Sequence, residues 1–215
     1  MTDPILLPER NLGALTTAQN QTLGQAIHAN PLESGFVENV QPETLTLAWA
    51  GWYDDEGDPA TGKFPPDRRL WNEGLAELRT QAAGWSPKLA EIGATLLLRP
   101  AVGCVLSEAH SCEAFFKDLE LPNVGILFDP AALLTPEMYP DVADHLDRFF
   151  DSFARMDACF GVVLSGFDLD SPGSQRPSMD PERPFDRVLI ETWRRSPLTE
   201  RTVAVHNRAD LTAIA

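Results

Sequence analysis

Four apolar runs in this 215-residue chain each stop at residues able to do chemistry. Arg99 closes "ATLLL", Asp129 closes "NVGILF", Asp168 closes "CFGVVLSGF", and His206, Asn207 and Arg208 follow "TVAV". Carboxylates and imidazoles move protons to and from a substrate, which makes Asp129, Asp168 and His206 the candidate catalytic residues. Guanidinium groups grip carboxylates and phosphates through paired N–H donors. Arg99 and Arg208, with Asn207 beside them, are therefore candidates for substrate binding, and Arg99, Arg208 and His206 together could clamp an anion. The alternative for Arg99 and Asp129 is a structural ion pair. Trp52, at the end of a fifth run, "TLTLAWAGWY", offers either a flat face for a sugar ring or a body for the core. Glu191 is a further carboxylate for proton transfer, but it falls inside a predicted helix.

These residues need a scaffold that brings run ends together. The runs at 94–101, 123–130, 159–168 and 201–208 are of strand length and apolar throughout, as strands buried on both faces of a parallel sheet are. The run at 44–53 alternates more. Between the runs lie amphipathic stretches. Trp71, Leu75, Leu78, Ala82, Trp85, Leu89 and Ile92 recur at helical spacing, with Pro87 predicting a kink or a restart capped by Ser86. Cys112, Phe115, Phe116 and Leu119 form a second apolar face. Met138 to Phe153 form a third, opened by Thr135-Pro136-Glu137, and Phe185 to Trp193 a fourth. Alternating strands and helices imply parallel strands with right-handed crossovers, hence an α/β fold, either a doubly wound sheet or a (β/α) barrel. No glycine-rich dinucleotide or P-loop motif occurs, so no nucleotide cofactor is expected. The polar segments 54–69 and 168–184 follow strands, where a barrel builds its working face.

Composition excludes several functions. Seventeen basic against 32 acidic residues leave a net charge of -15, which repels nucleic acid and anionic membranes. No apolar run reaches the roughly 18 to 20 residues of a membrane span, and the N-terminus lacks a signal-peptide pattern, so a cytoplasmic location is expected. Cys104, Cys112 and Cys159 have no metal-ligand spacing and read as buried hydrophobes.

"AEIGATLLLRPAVGC", "PNVGILFDPAALL", "FGVVLSGFDLD" and "RPFDRVLIETWRRSPLTERTVAVHNR" resemble, in order and spacing, the last four βα units of xylose isomerase-like TIM barrels, the sugar phosphate isomerase/epimerase family. The resemblance spans roughly residues 70–208. It implies a TIM-type barrel and isomerase or epimerase activity on a carbohydrate derivative. It also implies a divalent metal held by glutamate, aspartate, histidine and glutamate at four strand ends. Of that set only Asp129 has a counterpart. Arg99 stands at the first glutamate's position, Leu164, Ser165 and Asp168 lie where the histidine belongs, and His206 is near the final glutamate's place. An arginine cannot ligate a cation, so no metal is expected, and Arg99 paired to Asp129 would fill the metal's position. What remains is either a metal-independent isomerase or epimerase acting on a small anionic sugar derivative, or a non-catalytic relative serving as a ligand-binding or protein-interaction module.

Residues 1–215 are expected to form one barrel domain, regular over 44–215 and irregular over 1–43. A βα unit takes about 25 to 30 residues, so three of them do not fit into 43. The expected elements there are a short strand at 12–15 or 36–40 and a helix over 18–29. The expected result is an incomplete barrel, with the N-terminal segment lying across the gap or a homodimer closing it.

Overall fold

The structure, a computed structural model, describes residues 3–8, 13–53, 55–169 and 174–214. Eight strands form a closed ring. In chain order they are β1 (Ile5–Leu6), β2 (Gly13–Thr17), β3 (Thr22–Ala26), β4 (Leu45–Trp49), β5 (Thr95–Arg99), β6 (Val124–Phe128), β7 (Cys159–Leu164) and, after a hairpin of β8 (Gly166–Asp168) and β9 (Ser174–Arg176), β10 (Thr202–Val205). The helices α1 (Glu73–Glu91), α2 (Ala109–Phe116), α3 (Val142–Ala154) and α4 (Pro184–Arg195) carry the crossovers between β4, β5, β6, β7 and β10, and α5 (Asp210–Ile214) follows. This is an α/β TIM-type barrel. Its N-terminal part is irregular, as expected, but the ring is not incomplete.

The gap is closed by β1, β2 and β3. β2 runs antiparallel to both neighbours, β1 pairs in parallel with β10, and β3 in parallel with β4. Antiparallel strands need only a turn between them, not a crossover helix, and so three fit where three βα units could not. The expected helix over 18–29 is thus the β2–β3 turn and β3. Thr17 Oγ1 accepts from the amides of Gln19 and Gln21, and Asn20 takes a positive φ of 64°. Phe36–Asn39 is a 3-10 helix on the β3–β4 connection, not a strand. With the gap filled from within the chain, an open edge no longer calls for a homodimer.

Two helix starts also differ from expectation. α1 continues through Pro87, which lies near its C-terminal end between the buried Trp85 and Leu89. Thr135-Pro136-Glu137 opens a 3-10 helix, Pro136–Asp141, and α3 begins only after Pro140 and Asp141, because Pro140 has no N–H for an α-helical bond. The three cysteines are free and buried.

Period-two alternation sorts the strand residues. Leu96, Leu98, Ile126, Phe128, Val162 and Leu164 pack in the layer with the helices. Leu15, Leu47, Leu97, Leu127, Val163 and Ala204 form a separate apolar plug inside the ring.

Candidate functional site

Two residues beyond the plug, the same alternation places Trp49, Arg99, Asp129, Ser165 and His206 in one inward layer at the C-terminal ends of the strands. Arg99 is 2% exposed and Asp129 fully buried. Arg99 Nε donates to Asp129 Oδ2 at 2.8 Å, and Nη2 donates to the same oxygen. The guanidinium lies over the Trp49 ring at 4.3 Å, a second favourable contact for a desolvated cation. Trp49 is itself pinned by Nε1 donating to Pro59 O at 2.7 Å. Asp129 Oδ1 accepts from the amides of Ala131 and Ala132 at 3.1 and 3.3 Å, the opening turn of the 3-10 helix Ala131–Leu133. Gln175, on β9, closes the cluster from above. Its Nε2 lies 2.9 Å from Asp129 Oδ2 and 2.8 Å from Ser165 Oγ, donating to both.

His206 completes the layer. Its Nδ1 faces Pro8 O at 3.2 Å. A carbonyl only accepts, so this contact selects the Nδ1–H tautomer and leaves Nε2 as the acceptor nitrogen. Burial, and next the positive charge of Arg99, push the imidazole down to about 4, with Asp129 and Pro8 opposing. At neutral pH the ring is uncharged and a weak base.

Five of the residues expected at this site lie elsewhere. Asp168 is not at a ring strand end, because the ring strand stops at Leu164 and the chain departs into the hairpin. Its carboxylate accepts from Arg176 Nε at 2.9 Å and from Arg183 Nη1. Arg208 is exposed, and its Nη2 donates to Asn20 Oδ1 in the β2–β3 turn at 2.5 Å. The three-residue anion clamp is therefore not assembled. Asn207 is exposed and turns back on the chain, with Oδ1 accepting from the Ala209 amide at 2.9 Å. Trp52 is buried against Phe64, ring centroids 5.0 Å apart, and Asn30 holds its backbone from both sides. It serves the core instead of presenting a stacking face. Glu191 is exposed on α4. Among the described residues no group of three or more His, Cys, Asp or Glu side chains could hold a metal ion.

Gln175 and Trp49 are the members that sequence reasoning did not assign to the site, and Ser165 entered only as one of three residues standing where the resemblance puts a histidine. Strand alternation carried a signal for Ser165 and Trp49. Nothing local marked Gln175, which reaches the layer only because β9 folds back over it.

Above the cluster is a cavity of about 550 Å³. Gln175 lies at its base, Tyr139 and Phe167 meet edge to face at 5.5 Å on one side, and Thr61, Lys63 and Phe64 line another. The segment 55–66, following β4, thus builds one wall. Of the lining side chains, Lys63 and Glu56 carry opposite charges, so the wall has no strong preference for anions.

No family model matches the chain, and no curated protein matches it. Among solved structures it is similar to a D-tagatose 3-epimerase-like protein, with a TM-score of 0.54 and 12% identity over 86% of this chain and 70% of that one. It is also similar to a xylose isomerase domain protein from Planctomyces limnophilus, with a TM-score of 0.45 and 12% identity over 79% of this chain; the chain spans 54% of that protein's length. The first likeness establishes the fold, a TIM-type barrel.

Proposed function

We propose that this chain is a carbohydrate-binding barrel of the sugar isomerase/epimerase type, in which a hydrogen-bonded cluster replaces the metal centre and the mouth cavity receives a small hydroxylated ligand. The observation that carries the reading is the saturation of Asp129. Both of its oxygens accept from the chain itself, from Arg99, Gln175, Ala131 and Ala132. A divalent ion needs several oxygen or nitrogen lone pairs pointed at one place, and a guanidinium there supplies only donors and a repelling charge. These residues do not fit such an ion. Binding is favoured over turnover because, in the hydrogen bonds of the described residues, no second carboxylate joins Asp129 in the cluster, and His206 is held neutral. The opposite charges of Lys63 and Glu56 favour an uncharged sugar over the anionic derivative expected from sequence.

Thermal-shift and calorimetric titration with aldoses, ketoses and their phosphates test this, in chelator and in manganese, with NMR of the sugars for turnover. The expected outcome is a saturable shift by free sugars that is unchanged by chelator. Arg99→Glu should gain a manganese response that the parent lacks. Manganese bound stoichiometrically through Asp129 in the parent, or epimerisation that depends on it, would overturn the reading.

A further inference from the structure

Beside the mouth cavity runs a second, more apolar concavity of about 770 Å³. Leu70, Trp71, Leu133, Met138 and Phe149 line it. Trp71 is 73% exposed, although a tryptophan gains more from burial than most side chains. The two spaces adjoin, since Val102 and Thr135 line both. Each lies in the size range of a small-molecule site. We infer that the ligand of the mouth cavity is amphiphilic, a sugar whose alkyl or aryl aglycone lies in the groove against Trp71.

This inference rests on the carbohydrate-binding reading of the cavity. Adjacency decides the occupant: a groove that shares wall residues with a ligand cavity suits an extension of that ligand. A protein partner would be expected to match a charged rim, yet here Asp67, Arg68 and Glu108 mix both signs around the groove. Asp67 is moreover engaged by Arg69 at 2.6 Å. The polar end of the ligand would meet Gln175 and Lys63, and its apolar end Trp71 and Met138.

The test compares methyl, octyl and phenyl β-D-glucopyranosides and β-D-galactopyranosides by calorimetry and tryptophan emission, in the parent, Trp71→Ala and Met138→Lys. Trp71 is exposed, so its replacement leaves the fold intact, and Met138→Lys probes the groove independently. The octyl and phenyl glycosides should bind about tenfold tighter than the methyl ones, the gain expected when about two methylenes leave water. Both variants should lose that gain while keeping methyl glycoside binding, and the emission should shift to the blue in the parent alone. Equal binding of methyl and octyl glycosides overturns the apolar arm and leaves the cavity reading standing. Octyl glycoside binding that both variants lose, with no methyl glycoside or free sugar bound, overturns the cavity reading instead. A dimer that Trp71→Ala dissociates, with no gain from the octyl group, assigns the groove to a second copy and overturns the inference.

Discussion

Placing His206 beside Arg99 inside the barrel mouth has a cost that depends on pH. The imidazole falls from its ordinary 6.5 to about 4 on folding. Between those values the unfolded chain binds the proton and the folded chain does not, so stability falls as pH drops from about 6.5 to about 4 and levels off below. The full effect is no more than about 3 kcal/mol. Urea unfolding of the parent and His206→Gln at pH 7 and pH 4.5 measures it. The parent should lose about 2 kcal/mol more than the variant over that interval, whereas equal losses would mean that the ring is not desolvated.

At the scale of elements, the site depends on the β8–β9 hairpin, because Gln175 rides on it. The hairpin is tied to α4 through Asp186, in the helix's first turn and fully buried. Asp186 accepts from Arg176 Nη2 at 2.8 Å, the Asp180 amide at 2.7 Å and the Phe167 amide at 3.2 Å. Asp186→Ala strands these donors and should cost about 3 kcal/mol or more, as breaking a buried pair does. Asp168→Ala, whose carboxylate is partly exposed, should cost about 1 kcal/mol or less. Hydrogen exchange supplies the decisive reading: amides of residues 174–180 should lose protection in Asp186→Ala. Unchanged protection there would show that the hairpin holds its place without α4.

For the molecule as a whole, ring closure depends on how closely β3 approaches β4. A Cβ on Gly24 would lie 1.8 Å from Leu45 O, so no other residue lets the two backbones meet as they do. Gly24→Ala should cost about 2 kcal/mol or more, and should also raise self-association by exposing strand edges. Denaturant midpoints and light scattering check both. A loss within about 0.5 kcal/mol, the range of surface substitutions, would mean that the seam yields without opening. Among the described residues no helix is long and apolar enough to cross a membrane.

The sequence by itself determined the half of the barrel built from crossovers. The apolar runs at 44–53, 94–101, 123–130, 159–168 and 201–208 each contain a ring strand, and the helical faces between them hold four helices. Arg99 and Asp129 were legible as a pair because opposite charges at the ends of neighbouring buried strands have few other partners. Both facts are local: hydrophobic periodicity reports which face of an element is buried, and a strand end reports where its last side chain goes. Tertiary structure alone decided the rest. β1, only two residues long, is a strand because it pairs with β10, almost the whole chain away. Residues 22–26 have the composition of a helix but extend because the ring offers them edges to join. Gln175 belongs to the site because a hairpin folds over the barrel mouth. Pairing between residues far apart leaves no periodicity in either segment.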